Sequence, residues 1–331
     1  MIRPAFTRLY DFLHNFFAAP ASPHPLGFFR ISVSLLALAQ VFQLWPYLLQ
    51  LYGNFGFVQW VIIEADAKTW YPSIGKLCLA LQPYGVSSAM SVYGVFTLYA
   101  LGLVGLLLGW HTRFCAVPVW LLHSLTVNSG FTSLYGVDTM LHICLFYCAW
   151  MPVGDAFSLD ALRGRISSAP SFLANLSLRA LQIHLCLIYL NTGLAKIRGE
   201  QWRGGEAIWR AMMQPQFSVF DMSWLAQAPW LALLMCWSVI IVELGYALFI
   251  WPAKTRPLLV AAAVTLHLGI GFFMGLWMFS LMMIIMNFSA FGFNLLPRQR
   301  NPTMHGQQRL AWLRHSRLQA ARLRGSLKSH L

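Results

Sequence analysis

Long apolar runs recur along the chain with short polar gaps between them, and the polar positions fall mostly in those gaps. Runs long enough to cross about 30 Å of hydrocarbon, roughly 20 residues each, occur near 27–50, 88–110, 114–130, 137–153, 174–197, 228–252, 257–275 and 276–296. The pattern predicts an all-α, polytopic integral membrane bundle of about eight transmembrane helices. The third and fourth runs are short, and the last two are nearly fused, with Gly275 as the expected turn. Before the first run, Phe6, Tyr10, Leu13 and Phe17 share a helical face while Arg3, Arg8 and Asp11 lie elsewhere. That spacing predicts an amphipathic interfacial helix, not a signal peptide, because an uninterrupted apolar core is missing. Pro20, Pro23 and Pro25 then make a stiff connector. The fifth run carries Lys196 to its end, followed by Trp202, a Gly204-Gly205 turn, and Ile208, Trp209, Met212 and Met213 at helical spacing until Pro215. A spanning helix that turns into one lying in the outer interface accounts for this order.

Composition agrees with that reading. The 331 residues are 58% apolar and 10% charged, against roughly 25% charged in soluble domains. Fourteen Trp and 24 Phe suit aromatic belts at two membrane interfaces. The net charge of +13 is topogenic before it is anything else: eight of the 23 basic residues follow Pro297, and most of the others sit between runs. Nucleic acid is therefore not an expected partner, and membrane lipid is. With both termini cytoplasmic, Arg113, Arg163, Arg165, Arg179, Lys254 and Arg256 fall inside, while Lys68 and Lys76 are balanced outside by Glu64 and Asp66. This arrangement satisfies the positive-inside rule and places the chain in a cell membrane, with a bacterial inner membrane expected. Three segments follow: 1–25 interfacial, 26–296 the bundle, and 297–331 a basic cytoplasmic tail, either on anionic lipid or solvated. The six cysteines show no CxxC, and Cys144 and Cys148 at i, i+4 suit packing better than a disulfide.

Ionisable groups inside a bilayer cost several kcal/mol unless paired, so each is a functional candidate. They are Arg30, His123, Asp138, His142, His184, Lys196, Glu243 and His267. Glu243 and His267 each lie halfway along a run, so a carboxylate–imidazole pair at mid-depth is expected, with a helix-to-helix polar clamp as the plainer alternative. Asp138 and His142 share a face near the outer mouth, with helix capping by Asp138 as the plainer alternative. On the fifth run His184 with Asn191, and Tyr189 with Lys196, repeat at i, i+7 and predict two polar stripes facing the bundle interior. Lys196 is either a desolvated base or a snorkelling cation. Arg30 reads as an inner-interface anchor. No HExxH or ExxH spacing appears, so no metal is expected.

Four segments together resemble a family. Tyr135-Gly136-Val137-Asp138 with Trp150-Met151-Pro152-Val153-Gly154 and Phe157-Ser158-Leu159-Asp160 form one. The stretch Tyr189–Gly205, read as Y-x3-G-x2-K-x5-W-x2-G, forms another. Glu243-Leu244 with Pro252, His267-Leu268 and Met278-Phe279-Ser280-Leu281-Met282 complete the set, with Gly27-Phe28-Phe29-Arg30-Ile31 at the front. In order and spacing they resemble the HTTM proteins, related to the membrane part of vitamin K-dependent γ-glutamyl carboxylases. The resemblance implies that Lys196 stands at the position of the carboxylase base; the reading that follows sets it in a cavity open to the outer leaflet, with His267 as a second catalytic residue. Glu243, Asp138, His142, Tyr189 and Asn191 would then line the site of a quinol such as menaquinone or vitamin K. The chain departs from the carboxylases in having Ala195-Lys196 where they have two lysines, Phe131 in place of a histidine, and a basic tail where they have a propeptide-binding portion. The two resulting expectations are a quinol-linked carboxylase- or oxygenase-like enzyme, and a non-catalytic accessory for maturing or exporting a secreted peptide, or a lipid-binding scaffold.

Overall fold

The computed structural model describes residues 5–57, 59–60, 71–129 and 135–295. The predicted basic tail, the charged residues from Glu64 to Lys68 in the loop expected to face outward, and Phe131 lie outside the described residues. Among the described residues the fold is all-α, with a single isolated bridge pairing Ala21 and Ser171.

In chain order the helices are α1 (Ala5–Ala18), α2 (His24–Leu44), α3 (Leu48–Tyr52), α4 (Ile74–Leu81), α5 (Ser88–Leu108), α6 (Thr112–Ser129) and α7 (Gly136–Trp150). They continue as α8 (Leu159–Leu162), α9 (Phe172–Arg198), α10 (Glu200–Arg203), α11 (Glu206–Met212), α12 (Pro229–Phe249), α13 (Arg256–Met274) and α14 (Trp277–Phe291). A helix stands at each of the eight predicted runs. Five are long and apolar enough to cross a membrane: the continuous His24–Tyr52 stretch, α5, α9, α12 and α13. The other three, α6, α7 and α14, are shorter, and α6 carries Pro118 within it. The chain is thus a multi-pass membrane protein built as a helical bundle.

Serine caps start several of these helices. Ser87, Ser158 and Ser171 accept from the backbone N–H groups of Met90, Ala161 and Ala174, filling donors that a helix start leaves open. At the far end of α13 the chain reverses at Gly275, whose φ of 70° is open to glycine at no steric cost. The turn predicted there is the one observed.

Packing divides the bundle into two neighbourhoods. In one, α5 packs on α2 and α6, and α6 on α7; in the other, α9 packs on α12 and α13 on α14, and α14 joins the two by touching α2, α7 and α9. Between them lies a core of Leu26, Phe29, Val33, Leu103, Leu141, Leu181, Leu185 and Met286. The six cysteines are free, and Cys144 and Cys148 are fully buried in this core, as their spacing predicts. Helix α1 rests against α9 through its C-terminal end, where Asn175 and Arg179 donate to the Phe16 carbonyl. Its Leu9, Tyr10, Phe12 and Leu13 remain exposed. An apolar face of that kind fits an interfacial helix.

Arg30 departs from expectation. It is fully buried in α2, and its guanidinium donates to the carbonyls of Val153 (2.9 Å), Ala156 (3.2 Å) and Phe157 (2.5 Å). The side chain folds inward onto the loop after α7, whose carbonyls have no helical partners there. An interface anchor would have reached for head groups instead. Beside it Asp160 accepts from the backbone N–H groups of His111 (3.1 Å) and Thr112 (3.0 Å), which start α6. Two non-glycine residues in the left-handed region, His111 (φ 43°) and Phe157 (φ 53°), are each held by one of these contacts.

Candidate functional site

Lys196 sits in the last turn of α9, two helical turns beyond Tyr189 on the same stripe. The neighbouring helix α12 comes unusually near at Gly193, where a β-carbon would lie 3.1 Å from the Leu244 backbone nitrogen and 2.9 Å from its side chain. A bare backbone at this crossing brings the two helices within reach of each other's side chains. The consequence is an ion pair: Lys196 Nζ lies 2.8 and 2.9 Å from the two carboxylate oxygens of Glu243. The lysine side chain is 20% exposed and the glutamate 8%. Nζ also stands 5.1 Å from the Trp202 ring centre, a cation–π contact.

Glu243 was expected to meet His267, and it does not. Lysine at the helix end wins the carboxylate because a full charge pairs more strongly in low dielectric than a neutral imidazole. His267 is buried on α13 and turns to Tyr189 instead, with the hydroxyl 2.8 Å from Nε2. Two residues that the sequence reading did not select complete the cluster. Asn287 of α14 contacts the Tyr189 hydroxyl at 2.8 Å through Nδ2, and Tyr246 of α12 donates to Asn287 Oδ1 at 2.6 Å. The rings of Tyr189 and Tyr246 lie 4.2 Å apart. A lone Asn in the Met282–Phe288 run, and a Tyr three residues after Glu243, were the available signals.

The direction of this chain follows from counting hydrogens. Asn287 Nδ2 also donates to the Met283 carbonyl at 2.9 Å, an acceptor only. Flipping the amide would set oxygen against oxygen there, so the orientation is determined. Tyr189 therefore accepts from Asn287, which leaves its single hydroxyl hydrogen for His267 Nε2; the opposite direction would leave that buried hydrogen without an acceptor and His267 Nδ1 still unpaired. An imidazole that accepts at Nε2 carries its proton on Nδ1 when neutral. That Nδ1 is buried and has no partner, and the buried Ser280 hydroxyl on α14 has none either. A buried unpaired N–H costs about 1–3 kcal/mol, so such an atom calls for a ligand or water.

The remaining predicted residues lie elsewhere. Asn191 is exposed on α9: it stands two residues from Tyr189, about 200° around the helix, so the His184–Asn191 stripe does not face the interior as a whole. His184 is half-buried and meets the Tyr147 hydroxyl at 2.8 Å. Asp138 takes the capping role, accepting from the Tyr135 N–H (3.0 Å), and also accepts from Gln40 Nε2 (2.6 Å). His142 turns to His123, their Nδ1 atoms 3.3 Å apart, and does not bond Asp138 although both lie on α7. It lines a cleft of about 460 Å³ with Tyr71, Pro72 and Asn128. A second cleft of about 520 Å³ is lined by His111, Arg113, Asp155 and Arg165. Apart from Asn191 and His184, the site residues thus fall into one cluster on α9, α12, α13 and α14, and a second on α6 and α7. Among the described residues no group of three or more His, Cys, Asp or Glu is placed to hold a metal ion.

Compared with known proteins, the chain matches the family model described as the HTTM domain over residues 18–293. None of the curated proteins and none of the solved structures compared with it matches.

Proposed function

The chain belongs to the HTTM domain family, and from that premise we propose that it is a quinol-linked membrane enzyme in which Lys196 and Glu243 form the base. The observation that carries this reading is the ion pair itself, placed inside a helical bundle with a polar cluster beside it. Moving one proton from Lys196 Nζ to a Glu243 oxygen turns an ammonium and a carboxylate into an amine and an acid. Both arrangements are neutral overall, so low dielectric does not forbid the exchange. The amine then takes a proton from a bound acid while Glu243 retains the first. An arginine in place of the lysine would lack this option.

His267 supplies the second half of the site. Its unpaired Nδ1–H, backed by Tyr189, Asn287 and Tyr246, suits a carbonyl or phenolic oxygen, and the Ser280 hydroxyl suits another. These orphaned atoms fit the head of an isoprenoid quinol. When bound, a quinol would supply the oxidisable ring whose oxygenation makes a strong base, the chemistry that the carboxylase resemblance implies. Asn287 and Tyr246 act through Tyr189 to hold the imidazole in one tautomer. In this reading both termini face the cytoplasm and the Lys196 end of α9 faces outward.

The test is extraction and mass spectrometry of lipid from the purified wild type, Lys196→Met and His267→Ala, with redox turnover measured on each. A stoichiometric quinone in the wild type, kept but not turned over in Lys196→Met and depleted in His267→Ala, is the expected result. Only bulk phospholipid in all three, with the variants working in cells, overturns it. The outcome would then favour an accessory for a secreted peptide. On its side stands the exposed apolar surface after α11, formed by Met213, Val219, Phe220, Trp224 and Trp230.

A further inference from the structure

The second polar cluster has chemistry of its own. His142 is half-buried on α7 at the wall of the 460 Å³ cleft, with its ring stacked on Trp120 and on His123. His123, on α6, is 3% exposed, and the 3.3 Å between the two Nδ1 atoms requires a proton on one of them. On its inner side His123 borders a cavity of about 10 Å³, shared with Gln40, Val41, Tyr99, Thr126 and Asp138. That is about the room one water molecule needs for its centre. Tyr99, one of the lining residues, is 2% exposed, and its hydroxyl has no partner. The Asp138 carboxylate and the Thr126 hydroxyl offer a water its acceptors, and Tyr99 a donor.

We propose that this cavity holds one water and that His142, His123 and the water form a proton path between the open cleft and Asp138. A proton arriving at His142 Nε2 displaces the one on its Nδ1 to His123 Nδ1. The proton on His123 Nε2 passes to the water, which gives one of its own to Asp138. Running in reverse, the path returns the same proton to the cleft, so the balance closes with no other reactant. The titratable groups around it are Tyr52, Tyr99, His123 and Asp138 at the cavity, and Tyr71 and His142 at the cleft. Its end at Asp138 lies two residues from Gly136, whose β-carbon position is 3.1 Å from Phe279, and Phe279 packs edge-on against His267. The path stands independently of the quinol reading, because none of its members belongs to the Lys196 cluster.

The test is time-resolved infrared spectroscopy of the full chain in lipid nanodiscs after a pH jump, with the Asp138 carboxyl band assigned by its loss in Asp138→Asn. The expected result is rapid protonation of Asp138 in the wild type, slowed about 100-fold in His142→Gln and His123→Gln. Val41→Ile, which adds one methylene to the cavity wall and leaves both histidines in place, should slow it similarly by displacing the water. Unchanged rates in folded variants, or an Asp138 band that does not respond to the pH jump in the wild type, overturn the proposal. A histidine effect without a Val41→Ile effect would discard the water and leave no path to Asp138.

Discussion

Two buried charged centres of this bundle resemble each other in composition and differ in kind. At one, Arg30 and Asp160 are satisfied chiefly by main-chain groups: three carbonyls for the guanidinium and two backbone N–H groups for the carboxylate. At the other, Lys196 and Glu243 satisfy each other, side chain to side chain. Main-chain carbonyls cannot take a proton at any ordinary pH, and a guanidinium does not give one up. Near neutral pH the Arg30 side of the first centre can therefore only hold shape, with Asp160 taking a proton only in acid, while the second pairs two side chains between which a proton can move. Burial and charge mark both; the nature of the partner separates them.

Charge-conserving exchanges break the comparison most directly. Lys196→Arg keeps the pairing with Glu243 and should keep the fold, yet lower turnover by roughly 10²–10⁴-fold by removing the exchangeable amine. The measurement is redox turnover set beside thermal stability in the same detergent. The converse, Arg30→Lys, should cost about 3 kcal/mol, because an ammonium does not reach three carbonyls spread over a loop and leaves some unpaired. It should appear as a lowered melting temperature. If both exchanges harmed stability alike, the distinction between the centres would fail.

Gly109 tests the structural centre from the backbone side. It closes α5 with φ 65°, and a β-carbon there would lie 2.8 Å from the Ser158 Cα and 2.9 Å from an Arg30 nitrogen. Gly109→Ala should therefore cost about 1–3 kcal/mol through strain and this overlap together, measured by thermal unfolding. Within the other centre, Asn287→Leu leaves Tyr246 without an acceptor and frees Tyr189 to reorient, at about 1–3 kcal/mol. Its sharper readout is nitrogen-15 NMR of His267, where the Nδ1–H tautomer should lose its dominance.

The smallest effect concerns acid. Burial would raise the Asp160 carboxyl, but hydrogen bonds from the Thr112 and His111 backbone and the Thr112 hydroxyl, with the His111 charge, hold it below its ordinary value. A carboxyl lowered by folding stabilises fully above its unfolded value, near ~4, and the contribution is lost as pH falls through the lower folded value. Thermal unfolding from roughly pH 6 downward should thus show a shallower acid limb in Asp160→Asn than in the wild type.

Much of the bundle was legible because membrane burial writes itself into composition. A run of apolar residues has few other uses, so each predicted run carries a helix, and Gly275 reverses the chain where the last two nearly fuse. Lys196, Glu243, Tyr189 and His267 were visible for the same reason: a polar group in an apolar run is costly enough to need an explanation. Their pairing was not visible. Helical periodicity says which residues share a stripe on one helix, and nothing about which stripe of another helix it meets. Asn191 shows the limit even within one helix, since an i, i+7 repeat with His184 gives a common face without saying which way that face looks.

The sequence by itself determined that the chain is a membrane-embedded helical bundle, which groups are expensive to bury, and roughly where each helix begins and ends. Those are local properties, decided by the transfer of side chains out of water and by caps a few residues long. Tertiary structure decided that Glu243 goes to Lys196, that Tyr189 goes to His267, that Arg30 turns inward, and that Asp138 and His142 part company. Such choices depend on how closely two helices approach, and that distance is set at single small residues such as Gly193, where a missing β-carbon admits a neighbour. Hydrogen bonds act over about 3 Å, so an approach of one ångström selects the partner.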